Sequence, residues 1–278
     1  MGSEFVLELE HVTKRYGETA ALSDLTLAVR HGEIHGVLGD NGAGKTTLLK
    51  ILSGMERAKS AGAFDGIIRV NGEPVEIDSP QQAIKHGIGI VPRRPGIFSG
   101  LSVADNIVVG KQMQGLIINQ VRIREQALKL MEMIGLRLDP AAKANSLTAS
   151  QQRLLMIARA LSLDVKIVVM DEPAAFLTTP LDLSQLFRAV RSLAERDIAT
   201  LYLTRRPAEA VQIADRISVL RDGEAVAQWQ RIDFDENVLI RQMQSQRIGD
   251  AGYIDHDDLN EPRGWLDGLR SLVTGNRK

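Results

Sequence analysis

Hydrophobic and polar positions along the chain switch repeatedly between a strand-like and a helix-like pattern. The apolar run IHGVLG at 34–39 ends in glycine and predicts a buried strand, and KTTLLKIL at 45–52 predicts a helix directly after it. Further strand-like segments are IGIVP (88–92), KIVVMDEP (166–173), IATLYLT (198–204), ADRISVL (214–220) and GEAVAQW (223–229). This alternation favours an α/β fold with a largely parallel sheet.

Turn and cap residues mark several element boundaries. Asn71-Gly72 stands between strand-like residues and predicts a two-residue hairpin turn. Ser79 is a candidate N-cap, because proline follows it at the first helical position. A second helix starts after Thr179, and four of its apolar residues are expected to face the core: Leu183, Leu186, Phe187 and Val190.

Strand signals nearly vanish between about 95 and 164. Four apolar residues of this region share one face of a predicted helix: Leu154, Ile157, Ala158 and Leu161. We therefore predict a helical insertion within the α/β unit.

The last segment, 247–278, differs from the rest. It is acidic and loop-like at first, and then places Trp265, Leu269 and Leu272 at helical spacing. Chain ends are commonly frayed or docked on the surface, and we expect one of these for the tail. The run 255–258 (DHDD) has the chemistry to ligate a metal, but a solvated turn is the favoured interpretation, so we assign no site there.

Charge and composition narrow the functional classes. The 34 Lys+Arg balance 35 Asp+Glu, so no basic footprint for a nucleic-acid partner is present in the composition. The chain has no cysteine, which excludes disulfides and thiolate metal sites. Its apolar runs are far shorter than the roughly 20 residues that span a bilayer, and no signal-peptide pattern opens it. A cytoplasmic location is the expectation.

The sequence GDNGAGKTT at 39–47 carries the strongest chemical signal. Gly39, Gly44, Lys45 and Thr46 match G-x-x-x-x-G-K-[ST] between a predicted strand and a predicted helix. Glycines let backbone N–H groups converge on phosphate oxygens, and the helix N-terminus adds partial positive charge. Lysine is expected to reach the β- and γ-phosphates and the threonine hydroxyl to ligate Mg²⁺. A glycine-rich turn without ligand is the alternative, and the strand–turn–helix context disfavours it.

Two acids end the strand-like segment 166–173. Asp171 is expected to hold Mg²⁺, and Glu172 to orient or deprotonate an attacking water. Two acids after a strand fit a solvated loop equally well when taken alone. Together with the glycine-rich turn, they predict a nucleotide-hydrolysing site.

With these motifs in order, the chain resembles the nucleotide-binding domain of ABC transporters over roughly residues 5–246. GDNGAGKTT, KIVVMDEP and ADRISVLRDGE carry the resemblance, and SPQQAIKHGIGIVP and FSGLSVADNIVVG are similar to importers of sugars and related small solutes, in particular to the first half of a tandem ATPase. The resemblance implies a P-loop NTPase fold with a RecA-like core, an antiparallel β-arm and an inserted helical subdomain at about 95–164.

The resemblance also implies a set of ligand-binding residues. Two such domains pack head to tail and sandwich ATP between the phosphate cradle of one domain and the signature segment of the other. The residues expected to contact ATP are Tyr16 (stacked on adenine), Gly39, Asn41, Gly42, Ala43, Gly44, Lys45, Thr46, Thr47, Thr148 and Gln151. On the residues alone, Tyr16 is interpreted as a strand-edge residue, so its adenine-stacking role rests on the resemblance.

Three positions depart from the family pattern. Arg93 stands where a glutamine is expected to touch Mg²⁺ and the attacking water, and a guanidinium cannot ligate a cation. The signature segment has Ala149 and Ser150 where the family has glycine, so weaker contact with the opposite ATP is expected. Arg205 replaces a switch histidine and is expected to pair with the γ-phosphate as a charge. Ordinary surface arginines remain the alternative for positions 93 and 205.

Two functions follow from this pattern. The first is an ATP-binding subunit that couples ATP hydrolysis to import of a sugar or similar small solute. Its partners would be integral-membrane permease subunits, a second ABC ATPase domain and, indirectly, a solute-binding protein, and it would lie on the cytoplasmic face of the membrane. The alternative is a hydrolytically weak half that acts as structural or regulatory partner of a competent site. An ABC protein acting on nucleic acid is disfavoured by the balanced charge.

Overall fold

The computed structural model describes residues 3–56, 64–110 and 120–244, so the tail at 247–278 and the DHDD run within it lie outside the described residues. The strands are β1 (Phe5–Tyr16), β2 (Thr19–Arg30), β3 (Ile34–Leu38), β4 (Phe64–Val70), β5 (Glu73–Pro74), β6 (Ile88–Val91), β7 (Ile167–Asp171), β8 (Ala199–Thr204), β9 (Arg216–Arg221) and β10 (Glu224–Gln230). The helices are α1 (Lys45–Leu52), α2 (Pro80–Lys85), α3 (Val103–Val108), α4 (Gln120–Met133), α5 (Ala149–Leu161), α6 (Pro180–Ala194), α7 (Pro207–Ile213) and α8 (Glu236–Gln244).

A six-stranded sheet forms the centre of the molecule, in the order β10-β9-β3-β8-β7-β6. Strands β9, β3, β8, β7 and β6 pair in parallel, and β10 pairs antiparallel to β9 at one edge. Strand β3 is buried along its whole length, and so is β8. Continuous apolar runs suit strands covered on both faces, which explains why the run pattern predicted them. The α/β fold with a P-loop-type core is confirmed.

The register of this sheet brings the ends of three strands together. Leu38 at the end of β3 pairs with Thr204 at the end of β8, and Asp171 at the end of β7 pairs with Leu203. Because parallel strands point the same way, the residues that follow them emerge at one edge of the sheet. The backbones of three residues therefore lie close together at this edge: Gly39, Glu172 and Arg205.

A second, four-stranded sheet has the order β2-β1-β4-β5 and is antiparallel throughout, which matches the antiparallel β-arm expected from the resemblance. Its hairpin β4–β5 turns at Asn71-Gly72, both with positive φ, as predicted from the sequence. The register shifts of the β1–β2 pair occur between Leu9 and Val12 and at nearby positions, so these twelve-residue strands lack a clean alternation. The sequence pattern did not identify them.

The segment between β6 and β7 is helical in its described residues. It contains α3, α4 and α5 together with one isolated bridge, Ser102 to Lys143. The four residues predicted to share a face of α5 are all buried in the same core cluster: Leu154, Ile157, Ala158 and Leu161. The division of the chain into a domain at 5–246, a helical subdomain at about 95–164 and a tail stays a prediction.

Helix α6 begins as predicted after Thr179, whose hydroxyl accepts a hydrogen bond from the backbone N–H of Asp182. Its four inward residues, Leu183, Leu186, Phe187 and Val190, are buried. At 15 residues it is the longest helix of the described part of the chain, within which no helix has the length and apolar character needed to cross a membrane.

Candidate functional site

The turn between β3 and α1 is held so tightly that two of its positions admit only glycine. A Cβ on Gly39 would lie 2.5 Å from the carbonyl oxygen of Leu220, and one on Gly44 would lie 2.6 Å from that of Ala21. Gly44 also has φ 110°, which side chains rarely adopt. Between these two glycines, Asn41 and Gly42 are exposed at the tip of the turn and Ala43 is buried. The turn thus has the shape that the motif predicts.

The helix that follows presents its first turn to this loop. No side chain of the described residues caps the start of α1, and its first turn contains no acid. The N–H groups there remain directed outward with the positive end of the helix dipole. Thr46 is exposed and Thr47 buried on this turn. An anion placed here would find both N–H donors and hydroxyl groups.

Lys45 folds back over the turn. Its Nζ donates hydrogen bonds to the carbonyl oxygens of Gly39, at 2.5 Å, and of Asp40, at 3.0 Å. Burial lowers the pKa of Lys45, while the negative charges of Glu172, Asp171 and Asp40 oppose that shift. The lysine is therefore within electrostatic range of the acids that end β7.

The acids themselves differ in environment. Burial, followed by the negative charge of Glu172, raises the pKa of Asp171, and the charges of Lys45 and Arg93 oppose this. Glu172 is 8% exposed and has φ 40°, and its backbone N–H donates to the carbonyl of Leu203 at 2.8 Å. A φ of 40° is a strained conformation for a residue with a side chain.

Both arginines that depart from the expected pattern contact Glu172. Arg93 Nη2 and Arg205 Nε each lie 3.8 Å from Glu172 Oε2. They come from the loops after β6 and β8, on either side of β7. Both arginines therefore lie beside Glu172, and their role toward a nucleotide stays a prediction. The structure brings Lys45, Asp171, Glu172, Arg93 and Arg205 into one charged cluster.

Tyr16 lies at the end of β1, beside α1. Its hydroxyl donates to Glu56 Oε1 at 2.5 Å, and Lys14 Nζ and Lys50 Nζ lie 5.0 and 5.6 Å from the ring centroid. Lys14 is almost fully buried and pairs with Glu56 at 3.0 Å. The ring itself is 42% exposed. A partly exposed aromatic ring near two cations is suited to stacking on a base.

The signature segment makes its hydrogen bonds within the first turn of α5. Thr148 Oγ1 accepts from the backbone N–H of Gln151, and Gln151 Oε1 accepts from the backbone N–H of Thr148. This is a capping box, which fixes the start of the helix. Ala149 is exposed, whereas Ser150 is buried and donates to Gln185 Oε1 at 3.3 Å. Thr148 is also exposed and remains available to a surface outside this chain.

Sequence reasoning missed three residues that support the site. Arg153, two residues after the signature segment, donates to the carbonyls of Pro92 and Arg93, both at 2.5 Å. Glu56 holds the hydroxyl of Tyr16, and buried Glu209 accepts from the hydroxyl of Thr204, next to Arg205. An arginine on the apolar face of α5 was the one signal that could have identified Arg153. The partners of the other two follow only from the fold.

A family model described as ABC transporter matches residues 22–175. The ribose import ATP-binding protein of Lacticaseibacillus paracasei is 34% identical over 247 residues, which are 88% of this chain and 48% of that protein. The xylose import ATP-binding protein of Geobacillus kaustophilus is 36% identical over 224 residues, 80% of this chain and 44% of that protein. The chain spans about half the length of the curated relatives it matches.

Solved structures agree on the fold. The ADP conformation of an ATP-binding cassette of an ABC transporter superposes with a TM-score of 0.74 at 23% identity, over 90% of this chain and 97% of that one. A dimeric post-hydrolysis cassette bound to ADP and Pi gives 0.68 at 23% identity, over 82% and 100%.

The Tyr16–Glu56 hydrogen bond has a spectroscopic consequence. Burial, with the hydrogen bond and charge of Glu56, raises the pKa of Tyr16 to about 12. Removing the charge in Glu56→Gln should lower the pKa of Tyr16 from about 12 towards its ordinary value of 10. Phenolate absorbance during an alkaline titration, with Tyr16→Phe to assign the signal, measures this. Glu195→Gln, on the exposed end of α6, is the matched control. An unchanged titration in Glu56→Gln would contradict the contact.

Proposed function

The chain belongs to the ABC transporter family, and we propose that it is an ATP-binding subunit that couples ATP hydrolysis to import of a sugar or similar small solute. The observation that carries the proposal is the charged cluster at the end of the central sheet. There Lys45 lies over the glycine turn and close to Asp171 and Glu172. Phosphate binding and water activation require these three groups in one place.

ATP contacts follow from the positions of the side chains. The backbone from Gly39 to Thr47 cradles the phosphates, and Lys45 exchanges its carbonyl partners for phosphate oxygens. The partly exposed ring of Tyr16 stacks on adenine. Loss of two carbonyl hydrogen bonds is offset by charge-assisted bonds to the triphosphate, which are stronger.

A magnesium ion fits this donor set. Thr46 offers an exposed hydroxyl and Asp171 a carboxylate at the end of β7, and Mg²⁺ prefers oxygen ligands shared with phosphates. These two residues would hold the ion. When bound, it neutralises phosphate charge and polarises the bond to the γ-phosphate.

Glu172 and Arg205 are the proposed catalytic residues. The carboxylate of Glu172 orients the attacking water and accepts its proton, since it is the acid next to the metal-binding aspartate. Arg205 is partly exposed, and its guanidinium lies 3.8 Å from that carboxylate. In this position it would stabilise the charge that develops on the γ-phosphate.

A second ABC domain completes the site in this proposal. Thr148 and Gln151 contact the ATP held by that domain, while Ala149 and Ser150 reduce the closeness of approach. Exposure of Thr148 at the start of α5 supports this arrangement. The second domain is another copy of this chain or a different half, since the chain matches about half of each relative.

The proposed transport partners are inferred from the names of the relatives. Their names describe ribose and xylose import, so a pentose or related sugar is the proposed solute. Integral-membrane permease subunits would form the path, a solute-binding protein would deliver the sugar, and this chain would dock on the cytoplasmic face of the membrane. No nucleic-acid partner is proposed.

A nucleotide-binding half with slow turnover is a second candidate. The contacts of Arg93 and Arg205 with Glu172 favour it, because both guanidinium groups pair with the carboxylate that would otherwise orient the attacking water. In this case the chain would close on ATP and support a competent site in its partner.

Lys45→Ala tests the nucleotide site. It should weaken ATP binding by roughly a hundredfold or more, because charge-assisted bonds to two phosphates are lost. Calorimetric titration with Mg-ATP measures the affinity, and circular dichroism checks that the variant is folded. Lys85→Ala, at the end of exposed α2, removes the same charge elsewhere and should bind normally. Equal affinities for the chain and its Lys45→Ala variant would refute the cradle.

Uptake by cells tests the transport role. A strain that lacks this chain should lose uptake of at least one labelled pentose or hexose. The chain supplied from a plasmid should restore it, whereas its Lys45→Ala form should not. If the deletion changes the uptake of no sugar in a panel of labelled sugars, the proposed import function is overturned, whereas nucleotide binding is not affected by this result.

A further inference from the structure

Two loops deliver positive charge to the phosphate end of the site. Arg93 follows β6 and Arg205 follows β8, and each places a guanidinium nitrogen 3.8 Å from the same oxygen of Glu172. Their side chains are 48% and 35% exposed, so they line the open side of the cluster. A ligand that enters between the loops would meet both.

The loop that carries Arg93 is held from behind. Arg153 is 2% exposed and donates from two guanidinium nitrogens to two consecutive carbonyls, those of Pro92 and Arg93. Two bonds to adjacent carbonyls fix the direction of the backbone at this point. Arg153 is a positioning residue for Arg93.

The loop that carries Arg205 is held on both sides. Thr204 Oγ1 donates to Glu209 Oε2 at 3.0 Å, and Arg206 Nη1 donates to Glu209 Oε1 at 3.1 Å. Glu209 is buried on α7, so the side chains on either side of Arg205 are both tied to this helix. Both arginines are therefore placed before any nucleotide arrives.

Arg93 and Arg205 change the net formal charge of the cluster. Lys45, Arg93 and Arg205 carry three positive charges against two negative charges on Asp171 and Glu172, which leaves a net +1. With uncharged side chains at positions 93 and 205, the same group would carry −1. The difference is two positive charges, which is the charge of one Mg²⁺ ion.

We propose that Arg93 and Arg205 serve as built-in counter-charges, so that this chain binds a nucleoside triphosphate without a divalent cation almost as tightly as with one. Guanidinium forks match phosphate oxygens and are less strongly hydrated than an ammonium group. As the arginines pair with the triphosphate, Glu172 loses two partners and becomes available to water. The inference rests on the proposed nucleotide site and adds that its binding step needs little metal.

The test is the dissociation constant of ATP measured calorimetrically in excess EDTA and in saturating Mg²⁺, at constant ionic strength because salt screens exposed charges. In the unaltered chain the two constants should agree within about threefold, a small difference on the free-energy scale. The Arg93→Gln/Arg205→Gln double variant should bind in EDTA roughly a hundredfold more weakly, about tenfold for each arginine–phosphate contact. In saturating Mg²⁺ the same double variant should lose much less of its affinity for ATP.

Two controls separate charge from structure. Arg93→Lys/Arg205→Lys keeps both charges and should retain most of the binding in EDTA. Arg188→Gln, on the exposed side of α6, should leave both constants unchanged.

Three outcomes would count against the proposal or its premise. If the unaltered chain binds ATP tightly in Mg²⁺ but only weakly in EDTA, the inference is overturned and the nucleotide site is left intact. If the unaltered chain and the double Gln variant bind ATP equally well in EDTA, groups other than Arg93 and Arg205 account for the metal-free binding, and the inference is again overturned. No binding under either condition would instead refute the proposed function.

Discussion

The close approach of the turn after β3 to its neighbours is the constraint on which the rest of the site depends. The carbonyl oxygens of Leu220 and Ala21 leave no room for a Cβ at Gly39 or Gly44. With the turn fixed in this way, α1 starts with its N–H groups outward and Lys45 folds over the loop. A larger residue at either glycine would displace the turn, and the lysine, the helix terminus and the acids of β7 would no longer face one another.

Parallel pairing supplies the second half of the arrangement. Since β3, β8, β7 and β6 run in the same direction, the loops at their carboxyl ends share one edge of the sheet. That edge gathers acids from β7 and arginines from the loops on both sides. In the proposed site, the balance of these charges sets how a triphosphate would be bound. Arg153 and Glu209 matter because they hold the two arginine loops on rigid helices.

Local patterns predicted much of this structure, and distant contacts did not follow from them. The sequence signals for the glycine turn, the two-residue hairpin at Asn71-Gly72 and the start of α6 each lie within a few positions of one another, and all three were predicted. Strands β1 and β2 were missed by pattern because their bulges break the alternation. The Tyr16–Glu56 hydrogen bond and the Arg153 contacts join residues 40 to 61 positions apart, so only the folded chain brings them together. The functional roles of the site residues remain predictions.

Steady-state release of phosphate from ATP with Mg²⁺, measured over a range of protein concentrations, tests most directly whether this cluster is a working ATPase site. The account predicts turnover that rises more steeply than the protein concentration, because two domains enclose each ATP, and that disappears in Glu172→Gln. No turnover in a preparation shown to bind ATP would contradict the assignment of Glu172 as the base. The chain would then be the slow half of a pair.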